Sequence, residues 1–281
     1  MSRQRTNLIA RWLITAVAGL VIVPVFLVIV FIIYNGIGAI SWEFLTQPPR
    51  RGMTEGGILP AILGTIFLTL GTAVAAIPIG IGAAIYLAEY ASDTKLTRTI
   101  RLAIINLAGI PSIVYGLFGL GMFVLFLDFG TSILAGSLTL GLLTLPIVIS
   151  TAEEAITAVP REFRLVSLSL GATRWQTIRH QVLPHALPGM ITGVILGLGR
   201  AAGETAPILF TVAAFYLPEM PRSIFDQTMA LPYHLYVIST QVPGMPLSLQ
   251  YGTALTLLLI VMSLTIVATI IRTVMRRRRQ W

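Results

Sequence analysis

The sequence predicts an all-α protein: a polytopic transmembrane bundle of six spans. Of its 281 residues, 56% are hydrophobic and only 11% charged, far from the balance of a soluble domain. Six apolar runs, at about 12–34, 58–87, 100–127, 132–149, 187–216 and 252–271, match the ~20 residues that cross a bilayer as a helix. Basic residues collect in the short polar stretches between alternate runs, as they do on the cytoplasmic side of membrane proteins.

The first run is longer than the apolar part of a signal peptide, and no small-residue cleavage site follows it, so it reads as a retained anchor. Pro48 and Pro49 then separate this anchor from a five-helix core that begins near Gly56. The expected organisation is an N-terminal anchor and outside loop over 1–55, a core over 56–275 and a basic tail over 276–281. Glycines are dense in the second run (Gly64, Gly71, Gly80, Gly82) and in the fifth (Gly193, Gly197, Gly199, Gly203), where they allow helix backbones to approach closely. Pro78 and Pro207 are expected to kink their helices. A proline-rich outside loop over 217–251, with the semi-apolar stretch LPYHLYVI, is expected to cover the outer mouth or lie at the interface.

A cytoplasmic N-terminus puts Arg3, Arg5, Arg11, Lys95, Arg98, Arg101, Arg161, Arg164, Arg174, Arg179, Arg272 and Arg276 through Arg279 inside, fifteen of nineteen basic residues. Both termini and the polar stretch 161–184 are then cytoplasmic. The net charge of +8 is thus explained by topology and not by nucleic acid. Cysteine is absent, and His180, His185 and His234 have no metal-ligand spacing, so they read as polar loop or interface groups. The single lysine, Lys95 in SDTKLT, rules out a Walker A loop. Nor does any nucleophile elbow accompany Asp128 or Asp226. Glu153 and Glu154 read as headgroup-level charges near Arg161 and Arg164. The chain is expected to perform no catalysis.

The stretch 161–184 carries its own punctuation. Pro160 occupies a first helical position and Glu162 lies near the positive end of the helix dipole. Gly171 stops that helix, and Thr173 with Gln176 forms a capping box for a second helix expected to end at Pro184. By helix pattern alone, the hairpin suits adsorption to the bilayer surface through Phe163, Val166, Leu170 and Trp175. It equally suits docking to a partner.

The order of residues in LVSLSLGATRWQTIRHQVLP resembles the EAA loop of ABC importer permeases: Glu-Ala-Ala, three residues, Gly, nine residues, an apolar residue, any residue, then Leu-Pro. Gly171, Leu183 and Pro184 fit that spacing, whereas Leu165, Val166 and Ser167 replace the leading triad and Gln181 replaces the apolar residue. The resemblance implies that Leu165, Gly171, Ala172, Arg174, Leu183 and Pro184 couple the chain to an ATPase. GGILPAILGTIFLTLGTAVAAIPIGIGAAIYLAEYA, NLAGIPSIVYGLFGL, LTLPIVISTAEEAITAVP and GRAAGETAPILFT, in that order, are similar to the A-type permease subunits (PstA) of phosphate importers, members of the MetI-like, binding-protein-dependent permease family. That likeness covers about 56–272. It implies a homologous C-type permease as partner, an ATPase subunit dimer that holds the ATP and Mg, and an extracytoplasmic phosphate-binding protein, with no cofactor in this chain.

Arg200 and Glu204 form the charged pair well inside an apolar run, four residues apart and so on one helix face. Each costs ~2.5 to 3.5 kcal/mol at the centre of a membrane helix, so something must satisfy them. One reading is an ion pair that locks two helices together. The other is a substrate pathway in which Arg200 offers a forked donor to an oxyanion, Glu204 orients it and Thr205 adds a hydroxyl. Sulfate or molybdate would suit one arginine as well as phosphate does. Other classes left open are an ion-coupled secondary transporter with Glu204 carrying protons, and a membrane scaffold.

Overall fold

The computed structural model describes residues 3–277 and is all-helical apart from one two-stranded hairpin. Helix α1 spans Arg3–Gly36 and α2 spans Trp42–Thr46, begun by Ser41, whose hydroxyl accepts from the Phe44 N–H. Strands β1, Pro49–Arg50, and β2, Glu55–Gly56, pair antiparallel ahead of α3, Leu59–Ile85, which continues through a π-helical turn, Tyr86–Tyr90. Then follow α4, Lys95–Ala108, α5, Ser112–Gly119, extended by a second π-helical stretch, Leu120–Phe126, and α6, Ile133–Thr157. The remaining helices are α7, Arg161–Ser169; α8, Arg174–Thr177; α9, Leu183–Gly203; α10, Ala206–Thr211; α11, Leu231–Thr240; and α12, Leu247–Arg277. The predicted tail over 276–281 lies largely outside the described residues.

Among the described residues five helices are long and apolar enough to cross a membrane, and a sixth span forms if α4 and the stretch from Ser112 to Phe126 are counted together. That third run was expected to be one span. It is instead bent by 102° at Gly109–Pro111, because Pro111 has no N–H to continue the α4 ladder and holds its predecessor away from helical geometry. The Tyr115 hydroxyl donates to the Leu107 carbonyl at 2.8 Å and ties the two arms across the bend.

The centre of the bundle is α3, α6 and α9, whose small residues permit close contact. A Cβ on Gly64 would overlap the backbone carbonyl of Met229, and one on Gly193 would overlap the Thr151 hydroxyl of α6. Gly82 and Gly203 have open space instead. Inside the bundle, Thr65, Thr69 and Thr72 each donate to the carbonyl four residues back in their own helix. Helix α1 packs along α12, where Phe31 meets Tyr251 edge to face at 5.5 Å, while its other faces are exposed and suit contact with lipid.

Two cores result. One joins Leu68, Leu140, Ile208 and Val212 to Leu231, Val237 and Ile238 of α11. The other, at the opposite end of the bundle, joins Ala84, Ala152, Ile156, Val182 and Met190. The connection expected to cover the outer mouth or lie at the interface carries α11, buried against α3, α9 and α12. His234, expected in a loop or interface, is 2% exposed and its Nδ1 has no partner among the described residues. Burial pushes its pKa down to about 4. Pro78 lies within a continuous α3, and Pro207 opens α10 and does not kink a helix.

Candidate functional site: a coupling hairpin and an interrupted fifth span

The polar stretch 161–184 folds as a helical hairpin. Arg161 is the first residue of α7, with Pro160 outside it as the cap, one position earlier than its sequence suggested. Gly171 adopts φ +84°, in the left-handed region that favours glycine. The Ala172 N–H donates to the Ser167 carbonyl and the Gly171 N–H to the Leu168 carbonyl, the paired bonds of a Schellman turn. Thr173 and Gln176 form the expected capping box. The Ser167 and Thr177 hydroxyls, 2.9 Å apart, close the hairpin from inside.

The second arm does not end at Pro184. Helix α8 passes through a π-helical turn, Ile178–Val182, directly into α9, so that one helical body runs over Arg174–Gly203. Proline in an α-helix interior clashes with the carbonyl four residues back and breaks a bond. Here the Leu183 N–H reaches the Ile178 carbonyl, five residues back, and the extra residue in the turn accommodates Pro184. Leu183 packs against the core at this end of the bundle. Of the other residues assigned to coupling, Leu165, Gly171 and Arg174 are exposed and Ala172 is half-buried. Leu165, Val166, Leu168 and Trp175 form an apolar outer face, and Leu170 is 83% exposed at the turn.

Arg164 and Arg174 reach the other way, onto the end of the second span. Arg164 Nη2 lies 2.6 Å and Nε 3.0 Å from Glu89 Oε1. Arg164 also donates to the carbonyls of Val159 at 2.7 Å and Ile156 at 2.9 Å. Arg174 donates to the Glu89 backbone carbonyl and lies over the Tyr90 ring at 5.0 Å. Glu89, in the turn that ends the second span, is 8% exposed. Sequence reasoning missed it, although a lone carboxylate at the end of an apolar run, on the same side as an arginine-rich segment, is a readable signal of charge complementarity. The expected neighbours of Glu153 are likewise corrected: its partner is Arg101, at 2.8 Å, and Arg101 also donates to the Leu87 carbonyl.

Arg200 and Glu204 do not lie halfway along a continuous span. Helix α9 ends at Gly203, Glu204 is extended, and α10 begins at Ala206. Arg200 is in the last turn, where the helix dipole favours a cation, and its Nε donates to Glu204 Oε1 at 2.9 Å. The side chains are 39% and 16% exposed. Both terminal guanidinium nitrogens of Arg200 lack a protein partner among the described residues, leaving a forked donor available. Thr205 stands at the break, half-buried, with no capping bond from its side chain. Among the described residues no cluster of His, Cys, Asp or Glu could hold a metal.

The family described as "Binding-protein-dependent transport system inner membrane component" matches residues 76–281. The probable ABC transporter permease protein YqgI of Bacillus subtilis is 34% identical over 86% of each chain. The phosphate transport system permease protein PstA 1 of Mycobacterium tuberculosis is 37% identical over 80% of this chain and 72% of its own. In three dimensions the fold is that of the MetNI methionine ABC transporter in an inward-facing conformation, with a TM-score of 0.64 at 17% identity over 78% of this chain and 95% of that one. A bacterial transporter importing alginate aligns over 99% of this chain and all of its own, with a TM-score of 0.66 at 13% identity. A family match over most of the chain and a fold shared with importers agree with the interrupted bundle and its hairpin: the chain belongs to the binding-protein-dependent transport system inner membrane components, the non-catalytic, multi-pass permease subunits of ABC importers.

Proposed function

We propose that this permease carries inorganic phosphate inward, paired with a homologous C-type permease, driven by an ATPase dimer that binds ATP and Mg, and supplied by an extracytoplasmic phosphate-binding protein. Both termini and the hairpin face the cytoplasm in this reading, which the distribution of arginine and lysine supports. The observation that carries the substrate assignment is the free guanidinium fork of Arg200 at the break in the fifth span, taken with relatives named as phosphate permeases. A fork of N–H donors suits a tetrahedral oxyanion. Glu204 offsets part of the positive charge, so attraction stays weak enough for release. The apolar outer face of the hairpin, with Leu165, Gly171, Ala172 and Arg174 around its turn and Leu183–Pro184 at its root, is the ATPase dock. ATPase closure would move the hairpin as a lever on α9.

Uptake of labelled phosphate into vesicles carrying the whole complex, competed separately by arsenate, sulfate and molybdate, tests the assignment. Competition by unlabelled phosphate and arsenate alone is the expected result. Competition by sulfate or molybdate at equal concentration would replace phosphate with that anion.

A further inference from the structure

We propose that Glu89 is a positioning residue which fastens the coupling hairpin to the end of the second span, so that the two move as one rigid body when the ATPases close. The proposal rests on the hairpin being the ATPase dock, and is independent of which anion is carried.

The geometry is specific. Both arms of the hairpin, helix α7 through Arg164 and helix α8 through Arg174, meet the distant π-helical turn Tyr86–Tyr90 at Glu89. The carboxylate holds the first arm of the hairpin, and the backbone carbonyl of the same residue holds the second. Arg164 adds bonds to the carbonyls of Ile156 and Val159 at the end of α6, so the clasp also reaches the fourth span. Because α8 runs unbroken into α9, the second, fourth and fifth spans all meet the hairpin through this point.

The division of chemistry supports a transmitting role. Arg164 turns inward onto Glu89, while the outer face presents Leu165, Val166, Leu168 and Leu170. Binding to an apolar partner surface needs only that outer face. Transmission of its motion needs the inner one, since a hairpin held at its root alone would pivot there and dissipate the stroke. Hydrogen-bonded charge pairs with low exposure are strongly orienting.

The test uses the complete complex in nanodiscs. The chain has no cysteine, so Ser92→Cys and Glu162→Cys, both exposed, accept spin labels without background. The label separation is expected to be narrow and unchanged between the resting complex and the ATP–vanadate-trapped complex. In Glu89→Gln, and in Glu89→Gln/Arg164→Met, which leaves no orphan charge, it should broaden and shift on trapping. ATPase retention should stay within about twofold of the parent, as the apolar face is intact, while substrate moved per ATP hydrolysed falls about tenfold.

Full recovery of the transport-to-ATP ratio in the double variant would reduce the pair to a stabilising contact and overturn the proposal. A separation unaffected by either variant would also overturn it. Failure of the docking reading has a different signature: Leu170→Asp would leave ATPase retention unchanged.

Discussion

Arg200 Nε and Glu204 Oε1 lie 2.9 Å apart across the residue at which α9 stops. The carboxylate engages one nitrogen of the guanidinium and leaves the other two without a protein partner among the described residues. A pair built only to neutralise charge would more often use both oxygens and two nitrogens. This one holds the arginine in place and keeps its fork open.

Arg200→Ala is expected to reduce phosphate uptake to background, while assembly with the partner subunits and the affinity of the binding protein are retained. Arg200→Lys keeps the charge without the fork, and a loss of about tenfold, equivalent to ~1.4 kcal/mol, is expected. Vesicle uptake alongside affinity purification measures both. Undiminished uptake in Arg200→Ala would remove the arginine from the pathway.

Gly171 at φ +84° has open space where a Cβ would sit, so the cost of a substitution there is backbone strain and not collision. Strain of ~1 kcal/mol at the turn that sets the apolar face, together with a charge, is expected in Gly171→Asp. Leu165→Glu changes one exposed side chain on a regular helix. Co-purified ATPase should fall further in Gly171→Asp, by about fivefold for ~1 kcal/mol. Equal losses in the two variants would count against docking through the turn.

His234 is held neutral by burial, its pKa pushed down to about 4. An unfolded histidine takes up its proton near 6.5, so between about pH 6.5 and 4 the unfolded state binds more protons than the folded one. Stability is therefore full above pH 6.5 and declines as the pH falls toward 4, by about 2 kcal/mol at pH 5. Thermal unfolding in detergent should show this slope in the parent chain, and a shallower one in His234→Leu. Parallel slopes would mean that His234 is not the responsible group.

Gly64→Ala is expected to destabilise the bundle, because its Cβ would overlap the Met229 backbone carbonyl, which has little freedom to retreat. Overpacking of this kind costs ~1–3 kcal/mol. Gly82→Ala, with nothing within 4 Å, should be neutral or slightly stabilising through its helix propensity. Melting temperatures of the two variants in the same detergent provide the comparison.

The sequence by itself determined what depends on neighbouring residues: the apolar runs, the turn at Gly171 and the capping box at Thr173 and Gln176. Each is set within one span or one helical turn, where hydrophobic length and backbone conformational preference act directly. The tertiary structure decided what those signals leave free. Pro184 reads locally as a stop, yet a π-helical turn carries the helix through it. The run over 187–216 is long enough to read as one span, yet breaks at Glu204, because α10 packs against α5 and α6 and not along the axis of α9. Glu89 and Arg164 are 75 residues apart, and only the packing of α3 beside α6 and α9 brings the carboxylate to the hairpin. A charge pair over that separation leaves no periodicity in the chain, since its geometry follows from the close approach of helices and not from the order of residues between them.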